Sequence, residues 1–158
     1  MPNQTVVVNA TPIIVLSNIK RLNILRELYG SIVVPEAVAA EVSVKNPGFF
    51  AQHKWINVKP IENVMAYRAF TSVLHAGEVE VMILAEQLQA DLVILDDGLA
   101  RRHAKYIHLN LTGTIGVLLK AKQEGIIENL KNVLNELLEQ GFYLSDQVYA
   151  EVLKLAGE

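Results

Sequence analysis

Short runs of β-branched residues alternate along this chain with longer stretches of helical periodicity. Residues 5–8 (TVVV) read as a strand. They lead into Asn9-Ala10-Thr11-Pro12, where Thr11 is suited to cap a helix and Pro12 to take its first position. Ile13, Leu16 and Ile19 carry that helix onward, and Leu22, Leu25 and Leu28 form a second stripe closed by Gly30. Residues 31–34 (SIVV) are the next strand, and Pro35 opens a helix reaching Val42. The segment 45–53 holds Asn-Pro-Gly and reads as a loop, while 55–58 is a short third strand stopped by Pro60.

The pattern sharpens after His75. Gly77-Glu78 starts a helix whose apolar face includes Val81, Met82, Ala85 and Leu88, and residues 92–95 (LVIL) form a strand with no polar position. Asp96-Asp97-Gly98 is its exit turn, leading into the basic helix LARRHAK, and 107–109 is the expected next strand. Gly113 and Gly116 introduce a further helix closed by Gly125. Leu130, Val133, Leu134, Leu137 and Leu138 then fall at i, i+3, i+4, i+7 and i+8, a one-faced helix. A last helix, capped by Ser145 and Asp146, carries Val148, Val152 and Leu155. Apolar strands alternating with helices predict a parallel sheet with helices on both faces, a three-layer α/β/α sandwich. Its functional crevice is expected beyond the carboxyl ends of the strands, at the switch in strand order. If the first strand and LVIL meet at that switch, Asn9 and Asp96 face each other across it.

Composition narrows the class. The 158 residues suit one domain spanning 1–158, and 51% of them are apolar, enough for a substantial core. There is no cysteine, hence no disulfide framework and no thiolate metal site. No run reaches the length of a membrane span, and the first ten residues lack the charged start of a secretory leader. A cytoplasmic protein without a membrane contact is therefore expected. The net charge of −3 argues against a general basic coat for nucleic acid, so any such contact must come from a local patch.

The candidate chemistry is acidic. Asp96 and Asp97 leave a buried strand together; their ordinary role is to cap the next helix, and their functional role is to hold a cation that relieves their repulsion. Neighbours on an extended strand point opposite ways, which makes Asp96 the candidate ligand and Asp97 an assistant or a cap. Glu78 sits in a first helical turn, where a carboxylate is favoured in any case. Glu41 follows an apolar face and reads as solvated or as a ligand, and Glu36 as a helix-start charge.

These segments resemble the PIN-domain nucleases, in particular prokaryotic PIN-like proteins related to the toxins of toxin–antitoxin pairs. The resemblance is carried by VVVNATPIIVLSNI, VVPEAVAAEV, HAGEVEVMILAEQLQADLVILDDGLARRHA and LTGTIGVLLKAKQEG, and extends through the tail from Asn132. It implies cleavage of RNA with Mg²⁺ or Mn²⁺, leaving a 5′-phosphate and a 3′-hydroxyl. The implied metal ligands are Asn9, Glu41, Glu78 and Asp96 with Asp97, and Thr11 is the neighbouring hydroxyl. Catalytic roles fall to Asp96, Glu78, Glu41 and Thr11. Asn9 departs from the family, which usually has Asp there: an amide oxygen can bind a metal but adds no charge.

Arg101, Arg102 and Lys105 follow the acidic turn and are the candidate RNA contacts, against the alternative of a merely solvated helix face. His103, His75, Lys120 and Lys122 are weaker candidates. Phe49, Phe50 and Trp55 could stack on a base or a protein, with Trp55 also suited to the core. The helices of 128–156 either pack on the domain or form an interface, with a small antitoxin protein or a second copy as partner. Two other readings compete with a ribonuclease. One is a catalytically weak or inactive RNA-binding or regulatory protein degraded at Asn9. The other is a receiver-like phosphotransfer domain, for which neither a separate phosphoacceptor Asp nor the accompanying Lys can be assigned.

Overall fold

A computed structural model describes residues 4–62, 76–106 and 108–158. Its core is a five-stranded, wholly parallel sheet in the order β3-β2-β1-β4-β5. The strands are β1 (Val6–Val8), β2 (Ile32–Pro35), β3 (Ile56–Lys59), β4 (Leu92–Ile94) and β5 (Leu111–Thr112). Successive strands run outward from β1 to β3, and the chain then returns to the other side of β1 for β4 and β5. The switch in strand order therefore lies between β1 and β4.

Nine helices flank the sheet among the described residues: α1 (Ala10–Asn18), α2 (Asn23–Tyr29), α3 (Glu36–Lys45), α4 (Phe49–Gln52), α5 (Ala76–Leu88), α6 (Gly98–Tyr106), α7 (Thr114–Gln123), α8 (Leu130–Glu139) and α9 (Asp146–Leu155). The result is the expected three-layer α/β/α sandwich. Because helices cover the sheet, its central strands lack polar alternation: Val6, Val7 and Val8 are wholly buried, as are Ile32, Val34, Val93 and Ile94.

Several boundaries differ from the sequence reading. The first helix begins at Ala10, with Asn9 as N-cap, so Thr11 and Pro12 are its second and third residues. Pro35 ends β2 and caps α3. No strand begins at His108 or Leu109. There α6 ends in a left-handed turn, His108 at φ 62° with Leu109 N–H donating back to Ala104 O; Ile107 lies outside the described residues. The fifth strand comes later, at Leu111–Thr112. Phe49, 1% exposed, belongs to the core, packed edge-on to Phe50 and stacked on His53, and has no face to offer a base. No helix among the described residues is long and apolar enough to cross a membrane.

The segment 128–156 packs back on the domain. Leu130, Val133, Leu134 and Leu137 of α8 are buried, and the Glu158 carboxylate accepts from the Leu130 and Lys131 N–H groups while pairing with Lys122 at 3.1 Å. A second tie joins α8 to the turn after α1: Arg21 Nε and Nη2 donate to the two Glu136 oxygens at 2.9 and 3.0 Å. That hydrogen bonding holds the Glu136 carboxyl below its ordinary value of 4.5. A depressed folded pKa gives stability that is complete above the ordinary value and fades as pH falls through the folded one. We predict that Glu136→Gln costs under about 1 kcal/mol at neutral pH, since both side chains are over a third exposed. Urea unfolding should show the gap to the parent closing below pH 4.5; a gap that persists undiminished at low pH would mean the carboxylate charge is not its source.

Candidate functional site

The register of the two central strands sets the geometry. Val8 pairs with Ile94 in parallel, so β1 and β4 release their chains at the same edge, and Asn9 N–H donates to Ile94 O at 3.0 Å. Asn9 and the Leu95-Asp96 turn are thereby neighbours at the switch point, where such sheets bind ligands.

Asn9 is 6% exposed and is the N-cap of α1, yet its side chain makes no cap hydrogen bond. A capping side chain normally accepts from the second or third helical N–H. Here the third residue is Pro12, which has none. The amide oxygen instead approaches the start of α5, 3.7 Å from where a Cβ on Gly77 would stand. The same point is 3.6 Å from Val38 Cγ2, so the start of α5 lies in ordinary packing contact with both Asn9 and α3. Glu78 follows in the first turn of α5, half-buried. Two residues further on, Glu80 Oε1 accepts from Ala37 N–H at 3.2 Å and caps α3 from outside.

Asp96 is held from the opposite side. Its Oδ1 accepts from Thr114 N–H at 2.8 Å and its Oδ2 from Thr114 Oγ1 at 2.6 Å, the threonine being fully buried. The carboxylate thus sits on the N-terminus of α7, where the free N–H groups favour negative charge. Gly113 makes room for it: a Cβ there would lie 2.6 Å from Asp96 Oδ1 and 3.2 Å from Arg101 Nη1. With φ −117° and ψ −175°, Gly113 is kept for space and not for backbone freedom.

Asp97 turns the other way, its Oδ1 accepting from Ala100 N–H at 2.8 Å to cap α6. The two adjacent carboxylates are therefore separated onto two helix N-termini, and their repulsion is relieved without requiring a cation. Arg101 reaches back to donate from Nη1 to Leu95 O at 2.8 Å, which fixes its guanidinium beside the acidic turn. Arg102 is exposed; Lys105 and His103 lie on α6, but their side chains, like all of His75, are outside the described residues. Glu41 and Glu36 are exposed on α3, and Thr11 is exposed in the first turn of α1.

Among the described residues, no three His, Cys, Asp or Glu side chains form a group that could hold a metal. What the strand ends offer is sparser: the Asp96 carboxylate, the buried Asn9 amide, and Glu78 opening the adjoining helix. These are hard oxygen donors, as Mg²⁺ and Mn²⁺ prefer, and Mg²⁺ commonly takes one or two carboxylates and draws its other ligands from water and substrate phosphate. The donor chemistry is compatible with such an ion only in that incomplete mode, with water and substrate completing its shell. Sequence reasoning missed Thr114, Gly113 and Glu80; the Gly-Thr pair opening α7 was the available sign of a helix start needing an external cap.

A family model described as a PIN domain matches residues 5–158. No curated protein matches the chain.

Thr114→Val keeps the shape and the N–H but deletes the hydroxyl donor. It should cost about 1–2 kcal/mol in urea unfolding, with Thr114→Ser close to the parent. An unchanged midpoint in the valine variant would show that the hydroxyl contributes no net stability through Asp96.

Proposed function

The chain belongs to the PIN-domain family, and we propose that it is a metal-dependent endoribonuclease. The observation carrying this reading is the parallel pairing of β1 with β4, which aligns Asn9 with the Asp96 turn beside the start of α5. In this reading Asp96 and Glu78 hold a divalent ion, Asn9 adds a neutral oxygen, and Glu41 on the neighbouring helix orients water or joins when substrate binds. Mg²⁺ or Mn²⁺ bound there would supply a water of lowered pKa and shield charge on the phosphoryl oxygens. Thr114 keeps the Asp96 carboxylate from rotating, while each of its oxygens retains a lone pair for a ligand. The Arg101 guanidinium, tethered at one nitrogen, keeps further donors for the RNA backbone. Arg102 and Lys105 on the same helix extend that contact. Thr11, at the mouth of the site on α1, is suited to hydrogen-bond a water or phosphate oxygen.

A second reading is favoured by Asn9 and by the lack of a three-acid group among the described residues: an RNA-binding or regulatory protein that keeps the fold without turnover. The two separate on purified protein. Under the nuclease reading, unstructured RNA is cut only with Mn²⁺ or Mg²⁺ to 5′-phosphate products, and Asp96→Asn and Glu78→Gln fall to background. RNA binding that survives both substitutions and chelation, with no cleavage, would establish the rival. Asn9→Asp restores a formal charge and should tighten Mn²⁺ binding by about tenfold or more in calorimetry. An unaltered titration would place Asn9 outside the ion's coordination sphere.

A further inference from the structure

One helix length from Asn9, the carboxyl ends of α1 and α3 meet α4 around two adjoining cavities of about 270 and 240 Å³. Ser17, Asn46 and Phe49 line both; Lys20, Asn23 and His53 complete the polar wall of the first, and Asn18 and Lys45 that of the second. Among the described residues neither lining contains a carboxylate, although acidic residues outnumber basic ones in the chain, 17 to 14. The donors converge from separate elements: the end of α1, the start of α2, the end of α3 and the residue after α4.

Two details point to a missing occupant. Ser17 Oγ is shielded from water and has no hydrogen-bond partner among the described residues, an arrangement native proteins avoid. Because Ser17 lines both cavities, its hydroxyl is a donor available to an occupant. His53 Nδ1 lies 2.8 Å from Phe49 O. A carbonyl can only accept, so Nδ1 carries the proton and Nε2 is left as an acceptor, able to take the P–O–H hydrogen of a monoprotonated phosphate.

We propose that this double cavity binds a small phosphate-bearing anion, at a site separate from the strand ends. Two ammonium groups, three side-chain amides and a hydroxyl, with no acid among them, select for an anion with several oxygens and against a cation. The volumes lie at the lower limit of ligand pockets, which restricts the occupant to inorganic phosphate or a compact phosphate monoester. Two effects oppose binding. The carbonyl ends of α1 and α3 bring partial negative charge. Those of α1, however, are largely occupied: Val15, Leu16 and Ser17 oxygens accept from Ile19, Arg21 and Lys20. Glu136 and Glu139 border a neighbouring depression that Asn18 and Lys20 also line, but Glu136 is committed to Arg21.

The test uses the whole chain in chelator, so that nothing depends on a divalent ion or on the nuclease reading. Calorimetric titration with inorganic phosphate and with adenosine monophosphate should show saturable binding of at least one. Equal affinity for the two would identify the phosphate group as the whole recognition element, and tighter monophosphate binding would identify a monoester as the occupant. Lys20 holds φ 60° in the turn ending α1, a position that favours glycine. Lys20→Gly should therefore fold at least as stably as the parent while weakening binding roughly tenfold, as loss of a charge-assisted contact does. Asn46→Ala should weaken it too, and Asp96→Asn should leave it unchanged. The proposal is overturned if neither probe saturates, or if binding is indifferent to both Lys20→Gly and Asn46→Ala.

Discussion

The in-register parallel pairing of β1 with β4 is the constraint on which the rest of the molecule depends. Parallel strands lie about 4.8 Å apart and point the same way, so residues that follow paired positions emerge as neighbours. Val8 opposite Ile94 therefore delivers Asn9 and the Leu95-Asp96 turn to one edge before any side chain has chosen a rotamer. The pairing is secured by burial: the three valines of β1 and Val93 and Ile94 of β4 are inaccessible to water, and a slip of one residue would move Asn9 and the Asp96 turn out of alignment. Because β1 is also paired with β2, the site is anchored at the middle of the sheet, where local opening is least favourable.

From that edge outward, helix starts determine where the acidic groups point. Asp96 binds the N-terminus of α7 through Thr114, Asp97 caps α6, Glu80 caps α3, and Glu78 lies in the first turn of α5. Each carboxylate is stable in its position by the ordinary electrostatics of exposed N–H groups. This weakens any inference from acidic clustering to metal binding, since most of these charges have a local reason to be present. Asn9 is the exception. It occupies a capping position without capping, because Pro12 removes one of the donors it would serve, and its amide is left facing the start of α5. The side chain with the least structural reason for its orientation is the one at the centre of the site.

The layered architecture and four of the five strands were legible in the sequence because their apolar runs are uninterrupted and burial demands it. The fifth was misread. An apolar-looking segment after a basic helix reads as a strand, whereas α6 continues to Tyr106 and His108 adopts a left-handed turn, so pairing with β4 waits until Leu111. Local periodicity cannot foresee this, because the choice depends on where the chain re-enters the sheet. Strand order was equally illegible, since β1 meets β4 across more than eighty residues of intervening chain. The Asp96–Thr114 contact depends on both: it joins residues eighteen apart that approach only once β4 and β5 are paired and Gly113 has left space. Phe49 shows the converse error, an aromatic in a Pro-Gly loop that reads as a stacking face for a base or a protein but is 1% exposed because α4 folds it inward.

The replacement of a charge by an amide at Asn9 bears on how such a site balances stability against affinity. At 6% exposure, a carboxylate in that position without an ion would be costly, its desolvation unrelieved by a cap and its neighbours Glu78 and Asp96 of like sign. Asparagine keeps an oxygen in the same place and avoids that penalty, so the ion-free protein is more stable than an all-acid site would be. In the proposed nuclease the amide would lower the field that draws in a divalent cation, and would leave more of its coordination to water and to substrate phosphate. An ion that depends on substrate for its ligands is held only when substrate is present. Metal binding and RNA binding would then be linked, each tightening the other by the same factor, as linkage requires.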